Sequence, residues 1–535
     1  MRKADLAAAG IAIFISALPG IAPAQQVADP ATEISNPETG TETGPGIGDP
    51  LSAIGWLSNS VTLPQAAPGE PAATGGRTPA SVNVTSLDSA AGADAIGILS
   101  PATTGLPATL WGNSRPEDLA RRIRGEHTEM LPALQELLYT LLLAELAPPA
   151  QPGPDRSTIF LARIDKLLEM GALDQANALL ERADPTDPEI FRRWFDVSLL
   201  LGEEDTQCQT MTDTPSLSPT YQARIFCLAR AGDWDGAALI LGTGRALGLV
   251  PEQDAELFER FLDPDLYEGE DPISPPANPT PLTFRMYEAI GEAIPTSTLP
   301  LAFAYSDLRD NIGWKARIEA AERLARTGAV SDNALLGLFT ERKPAASGGV
   351  WDRAAAIQEL EATITAGYKA GTADNLLHAW DEITRARVEV AISQSYGPQL
   401  AAMELDGKPG EIALRMGLLS DKYEAVAQAS TPASERDKLL IAIAKGDVSA
   451  APATDARAQA VIDGFQATQP PVRFASLLDD KRMGEAILRA MTLFSDGASG
   501  DLDQISDALA LMRNLGLEDV ARRTALQYLI LDRAG

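Results

Sequence analysis

The residue types that carry most enzyme chemistry are scarce in this chain. Only two histidines occur among its 535 residues, His127 and His378, and both fall in segments predicted to be helical. Neither belongs to a His-x3-His or His-Glu-x2-His metal motif, and no Gly-x-Ser-x-Gly elbow accompanies either of them. A phosphate-binding Gly-x4-Gly-Lys-Ser/Thr loop is also missing. We therefore predict no catalytic residue, no metal ligand and no cofactor.

Carboxylates are the abundant reactive group, with 74 Asp and Glu against 44 Lys and Arg. A pair of carboxylates can hydrolyse or cleave a polysaccharide, so an envelope enzyme acting on cell-wall polymer is the alternative interpretation. Exported lytic transglycosylases combine a helical solenoid with such a site, which has a Glu-Ser step and a Gly-Leu-Met-Gln-type segment. Here Glu341 and Glu485 are followed by Arg342 and Ala486, and Gly417-Leu418-Leu419-Ser420 resembles only part of that segment. The sequence favours a protein that is not an enzyme.

The two cysteines, Cys208 and Cys227, are predicted to form a disulfide. An even number of cysteines in an exported chain indicates structural pairing, and no Cys-x2-Cys spacing supports a redox function. We place Cys208 in an acidic turn and Cys227 in the helix at 219–230. Their bridge would stabilise the fold by about 3 kcal/mol through the unfolded state.

The N-terminus predicts export to the bacterial periplasm. Arg2 and Lys3 precede an apolar run at 6–18, and Ala22 and Ala24 supply the small residues of a cleavage site, so 1–24 reads as a signal peptide. No later segment suggests stable insertion into a membrane. The formal net charge of −30 disfavours nucleic acid and anionic lipid as partners. The charge either keeps the protein in solution or attracts a basic partner surface.

Residues 25–114 are rich in Pro, Gly, Ala, Ser and Thr, and we predict a disordered acidic arm there. Two apolar islands interrupt it, at 51–57 and at 96–111. Each is a candidate docking anchor, either on the protein's own helices or on another protein. The candidate anchor residues are Leu51, Ile54, Trp56, Leu57, Ile98, Leu99, Leu110 and Trp111.

From Ser114 onward the pattern predicts an all-α protein. Helix-sized blocks rich in Ala, Leu, Glu and Arg alternate with short turns, and alternating strand-like runs are almost absent. The first block begins with Ser114 and Glu117 in the spacing of a capping box. We predict one helical lobe at 115–262, a Pro-rich loop at 263–281 and a second helical lobe at 282–535.

Several blocks pair across a glycine turn, with an alanine five positions later. Gly171 and Ala176 frame a segment that resembles the turn and second-helix start of a tetratricopeptide repeat, with Leu180, Ala183 and Pro188 at the matching offsets. The Gly-x4-Ala step recurs at Gly232–Ala237 and Gly516–Ala521. The resemblance covers short windows and implies an irregular α-solenoid of antiparallel helix pairs. An irregular helical domain without repeats is the other interpretation.

An α-solenoid presents an extended surface that usually holds peptides or proteins. We therefore expect a periplasmic scaffold or adaptor that binds a protein or peptide of the cell envelope.

Overall fold

The computed structural model describes residues 92–531, apart from 152, 154, 346 and 347. The predicted signal peptide at 1–24, the arm as far as 91 and the first apolar island at 51–57 lie outside the described residues. The all-α prediction is confirmed: the described part contains 25 α-helices, and its extended pairing is limited to an isolated bridge between Leu99 and Ala144. None of its helices combines the length and apolar character needed to cross a membrane.

The first ten helices run from residue 101 to residue 262. They are α1 Pro101–Thr104, α2 Pro116–Gly125, α3 Pro132–Leu143, α4 Thr158–Glu169, α5 Leu173–Leu180, α6 Pro188–Leu201, α7 Asp205–Asp213, α8 Tyr221–Arg230, α9 Trp234–Ala246 and α10 Glu252–Leu262. The predicted Pro-rich loop follows, with a short 3-10 turn at Pro264–Tyr267.

Fifteen further helices complete the described part of the chain. They are α11 Pro281–Ala289, α12 Leu301–Ala304, α13 Trp314–Ala325, α14 Asp332–Thr340, α15 Val350–Thr365, α16 Lys369–Ala386, α17 Glu389–Ala402 and α18 Gly407–Leu419. The last seven are α19 Tyr423–Ala429, α20 Glu435–Lys445, α21 Ala456–Gln466, α22 Ala475–Asp479, α23 Met483–Gly497, α24 Leu502–Asn514 and α25 Glu518–Ile530.

The ends of α6 show how local sequence delimits a helix. The Asp187 carboxylate accepts hydrogen bonds from the backbone N–H groups of Glu189 and Ile190, at 2.9 and 3.3 Å. Pro188 occupies the first turn, where its missing N–H costs nothing. A cap of this kind stabilises a helix by about 1 kcal/mol. By contrast, the predicted capping box at Ser114 does not form, because α2 begins one residue later and Arg115 is its N-cap.

The Gly-x4-Ala step has the same structure in all three copies. Each glycine has a positive φ, near 80°, and ends one helix in the left-handed region. Each alanine is completely buried, because the second helix packs closely on the first. The glycines are Gly171, Gly232 and Gly516, and the alanines are Ala176, Ala237 and Ala521.

A fourth copy of the step does not match the Gly-x4-Ala pattern in the sequence, because a lysine stands in place of the glycine. Lys481 joins α22 to α23 with a φ of 59°, and Ala486 is completely buried five positions later. A side chain in the left-handed region costs about 1–2 kcal/mol, so other contacts must hold Lys481 in this conformation.

The two ends of the described chain pack against each other. Helix α2 contacts α23, and α3 contacts α25. The backbone N–H of Ala133 donates to Gln527 Oε1 at 2.8 Å, and His127 is 3.1 Å from Asp496. His127 lies in the turn between α2 and α3, so its predicted helical position is wrong. The first and last helices therefore belong to one body.

The apolar core does not follow the two predicted lobes. The larger cluster joins residues 106–330 with residues 390–531, so it spans both sides of the Pro-rich loop. The smaller cluster lies between Trp314 and Met416, in the α13–α18 part of the chain. All described residues belong to one compact unit.

Residues 92–114 were predicted to be disordered, but in the structure they are ordered by hydrogen bonds to the helices. The Asp94 carboxylate accepts hydrogen bonds from the N–H groups of Ile159 and Phe160, both at 2.8 Å, and so caps α4 from a distant part of the chain. The buried Arg163 guanidinium donates to the carbonyl oxygens of Ile96 and Leu142. These contacts order the segment despite its composition.

Glu126, directly after α2, is buried at the contact between the chain ends. Its carboxyl group accepts a hydrogen bond from the Thr492 hydroxyl of α23, at 3.1 Å. Burial raises the pKa of Glu126 from about 4.5 to about 8, although Thr492, Lys166 and Arg122 oppose the shift. The folded protein therefore holds a proton at neutral pH that the unfolded chain releases.

We expect the Glu126→Gln variant to lose part of the pH dependence of stability. The stabilising contribution of protonated Glu126 is complete below pH about 4.5 and is lost as the pH rises through about 8. Over this window it makes wild-type stability fall by up to about 1.4 kcal/mol per pH unit. Urea unfolding of both proteins at several pH values in this window measures the difference. The exposed Glu411→Gln variant should keep the wild-type slope, and equal slopes for Glu126→Gln would contradict the assignment.

Candidate functional site

A cavity of about 280 Å³ lies where four distant parts of the chain meet. Its walls come from the α2–α3 turn and α3, from the α13–α14 connection, from the start of α17 and from α25. We call it the junction cavity. Met130, Val330, Val388 and Val390 supply apolar wall surface.

Asp332 is the first residue of α14 and lines the junction cavity. Burial, with a smaller contribution from the charges of Asp421 and Glu136, raises its pKa to about 6, while Arg523 opposes the shift. No ion pair to Asp332 occurs among the residues that the structure describes. An ionised Asp332 is therefore a carboxylate that lacks full compensation.

Arg523 of α25 is the main cation of the cavity, and acidic groups surround it. Its guanidinium lies 2.7 Å from Glu136, 3.5 Å from Asp421 and 3.8 Å from Asp519. Burial alone would lower the pKa of Arg523, but these carboxylates outweigh that effect and raise it. Arg523 is thus shared among three other carboxylates and compensates Asp332 only in part.

The whole cavity has a surplus of negative charge. Five carboxylates lie in it or on Arg523, and three guanidinium groups face them. The acids are Glu129, Glu136, Asp332, Asp421 and Asp519, and the bases are Arg326, Arg387 and Arg523. Glu129 and Arg387 form an exposed ion pair of 3.2 Å at the cavity.

Tyr139 of α3 adds an unused polar group. Its hydroxyl oxygen is buried and has no hydrogen-bond partner among the described residues. Burial also raises the pKa of Tyr139, so the group stays protonated and can both donate and accept. A buried polar atom without a partner costs about 1–3 kcal/mol. A ligand in the cavity could satisfy it.

The sequence did not indicate this site. Asp332 follows the N-cap Ser331, whose side chain accepts a hydrogen bond from the N–H of Ala334, so in the sequence it looks like an ordinary acid in a first helical turn. Its neighbours come from positions almost 200 residues away in either direction along the chain. No spacing rule connects residues that only the tertiary structure brings together.

The predicted docking anchors fall into two groups. Leu51, Ile54, Trp56 and Leu57 lie outside the described residues. Of the second island, Ile98 is partly exposed, and Leu99 forms the bridge with Ala144.

Leu110 and Trp111 are buried against the protein's own helices. Both are 1% exposed. The Trp111 ring lies over the backbone of Gly484 in α23, so close that a Cβ atom on Gly484 would stand 2.5 Å from it. The Leu110 carbonyl accepts a hydrogen bond from the Gly484 N–H at 2.9 Å. At these two residues the island packs internally and presents no surface to a partner.

The disulfide-forming cysteines come together as the sequence indicated. A disulfide joins Cys208 and Cys227, whose Cα atoms are 5.0 Å apart. Cys208 lies in α7 and not in a turn, so the bridge connects two helices, α7 and α8.

Neither histidine contributes to the junction cavity. Within the described ranges, no group of three His, Cys, Asp or Glu side chains has an arrangement that could hold a metal ion.

Comparisons with known proteins give no family for this chain: no family model, no curated protein and no solved structure matches it.

Proposed function

We propose that this protein is a periplasmic helical-repeat adaptor that binds a protein or peptide of the cell envelope without catalysing a reaction. A basic side chain of the partner occupies the junction cavity. The observation that carries this proposal is Asp332, a carboxylate without an ion-pair partner among the described residues, in a cavity with surplus negative charge.

The composition of the cavity fits a lysine or arginine side chain. The aliphatic stem would pack against Val330, Val388 and Val390, while the cationic head would reach Asp332. The Tyr139 hydroxyl is free to accept a hydrogen bond from an ammonium or guanidinium group. The net charge of the chain, −30, would also attract a basic partner over a longer distance.

The repeat architecture and the compartment rest on separate features. Three Gly-x4-Ala steps with the same backbone geometry support stacked helix pairs of the tetratricopeptide-like kind. The N-terminal basic and apolar segments support export, and the Cys208–Cys227 disulfide is compatible with an oxidising compartment.

The proposal is tested with two short peptides of equal length, acetyl-Ala-Lys-Ala-amide and its norleucine analogue, which keeps the aliphatic stem and lacks the ammonium group. We expect ligand-observed NMR to detect binding of the lysine peptide and at least about tenfold weaker binding of the analogue. Asp332→Asn should weaken lysine-peptide binding by about tenfold, and the exposed Asp374→Asn on α16 should leave it unchanged. Binding that is equal for both peptides, or unchanged in Asp332→Asn, would overturn the proposal.

Peptide binding should also depend on pH with a defined sign. A cation binds the ionised form of Asp332, whose pKa in the free protein is about 6. Affinity should therefore be constant above pH about 7 and fall by up to tenfold per pH unit below about 6. Burial is the largest cause of this raised pKa, the charges of Asp421 and Glu136 add to it, and Arg523 opposes them. An affinity that does not change between pH 5 and 7 would show that Asp332 does not contact the ligand.

The competing function is carboxylate catalysis on cell-wall polymer. It is favoured by one observation, the raised pKa of Asp332, because a general acid must hold its proton near neutral pH. Incubating the wild-type protein and Asp332→Asn with purified cell-wall polymer separates the two functions. Release of soluble fragments by the wild type alone would support the enzyme, and no release by either protein is the result that we expect.

A further inference from the structure

A second cleft, of about 380 Å³, lies between α2 and α23 and has the opposite charge character. Four arginines line it. Arg121 and Arg122 lie in α2, Arg482 directly precedes α23, and Arg489 lies within α23. We call it the arginine cleft. It is separate from the junction cavity and shares no lining residue with it.

Three of these arginines converge on one buried carboxylate, Glu485. Arg122 lies 3.1 Å from it, Arg482 2.6 Å and Arg489 2.8 Å. Burial opposes ionisation of Glu485, but the hydrogen bonds and charges of Arg489 and Arg482 outweigh it and hold its pKa below the usual range. Glu485 is therefore ionised at neutral pH and carries a single negative charge.

This arrangement leaves two positive charges uncompensated. Within the described part of the chain, Glu485 is the one carboxylate at ion-pair distance from Arg122, Arg482 and Arg489. The fourth arginine, Arg121, is balanced by Asp118 at 2.9 Å. Compensation of Glu485 needs one guanidinium and not three.

Many of the N–H donors in the cleft are also not engaged in the contacts to Glu485. An arginine offers five N–H donors, and the contacts to Glu485 use one from Arg122, two from Arg482 and one from Arg489. The Nε atom of Arg489 is buried and has no partner among the described residues. The side chains of Arg122, Arg482 and Arg489 remain between 24% and 39% exposed, so solvent and ligands can reach them.

We propose that the arginine cleft binds a phosphate group. Guanidinium groups recognise phosphate by paired, charge-assisted N–H···O bonds, and two surplus positive charges match a dianion better than a monoanionic carboxylate. The cleft is larger than a free phosphate ion, so a small phosphomonoester fits it best. This inference does not depend on peptide binding in the junction cavity.

Titration calorimetry of the full chain with inorganic phosphate, at constant ionic strength, is the direct test. Constant ionic strength removes the general screening effect of added salt. We expect saturable binding of phosphate and binding of acetate that is weaker by at least about tenfold. Glycerol 3-phosphate, titrated in the same buffer, distinguishes the source: tighter binding assigns the cleft to a phosphomonoester, and equal binding assigns it to the free ion.

Two variants of the cleft and one control locate the binding. Arg489→Gln should weaken phosphate binding by about tenfold or more, because it removes a cation while Arg122 and Arg482 still neutralise Glu485. Arg122→Gln, at a side chain that is 34% exposed, removes another of the three cations around Glu485 and should weaken phosphate binding by a similar factor. Arg342→Gln, exposed and distant in the sequence, should have no effect.

Several results would overturn the proposal. Phosphate heats that do not saturate, or equal affinities for phosphate and acetate, would mean that no oxyanion site exists. Lower stability of Arg489→Gln with unchanged phosphate binding would show that the arginines serve only to neutralise Glu485. If Arg489→Gln does not fold, unchanged phosphate binding in Arg122→Gln has the same meaning.

Discussion

Replacing Trp111 with alanine is expected to destabilise the protein by about 3–5 kcal/mol, the usual cost of removing a buried tryptophan. The ring is 1% exposed and packs on the Gly484 backbone. Urea or guanidinium unfolding of the full chain measures the loss. Hydrogen exchange should show at the same time that the Gly484 N–H, which donates to the Leu110 carbonyl, has lost protection.

A matched control exists in the same chain. Trp234, at the start of α9, is 49% exposed, and Trp234→Ala should cost much less than Trp111→Ala. Gly484→Val should disturb the same contact, because the Cβ of the valine would overlap the Trp111 ring. If Trp111→Ala cost no more than Trp234→Ala, residues 107–114 would not be held by this contact.

Replacing Asp165 with alanine is expected to have an effect of similar size, about 3–5 kcal/mol, for an electrostatic reason. Asp165 of α4 accepts hydrogen bonds from Arg193 of α6 at 2.7 Å and from Arg124 of α2 at 3.0 Å. Burial alone would lower the pKa of Arg193, and Asp165 is the largest influence that raises it. Without Asp165, the buried Arg193 would lose its main compensating charge.

Three further variants separate charge from packing. Asp165→Leu combined with Arg193→Met removes both charges, and we expect it to recover most of the stability that Asp165→Ala loses. Glu319→Ala removes an exposed partner of Lys315, and it should cost at most about 1 kcal/mol. Arg193→Met alone should also destabilise the fold, since it leaves Asp165 buried. A double variant no more stable than Asp165→Ala would mean that lost packing, and not the unpaired charge, explains the effect.

Both predictions concern contacts that hold the first described residues to the helical body. Trp111 packs on α23, whereas Asp165 lies between α2 and α6. The arginine cleft spans the same α2–α23 contact, so a bound phosphate would link α2 to α23 and add to its stability. The junction cavity likewise needs α3 and α25 to lie together. Both candidate ligand sites therefore depend on the closure of the two chain ends.

The sequence by itself determined the local features of this protein. Helix periodicity predicted an all-α chain, because the 3.6-residue pattern and the near absence of alternating runs are properties of short windows. The Gly-x4-Ala steps were visible because a left-handed turn favours glycine and a close helix contact favours alanine. The pairing of Cys208 with Cys227 could be predicted because they are the two cysteines of the chain.

Only the tertiary structure decided what residues 92–114 do and where ligands could bind. The composition of that segment predicts disorder, but its Asp94 caps α4 and its Trp111 covers Gly484, across 65 and 373 positions in the sequence. Lys481 occupies a glycine position because the surrounding contacts outweigh its backbone cost. Asp332 looks like an ordinary helical acid until burial and distant charged neighbours set its protonation, and no local pattern records those neighbours.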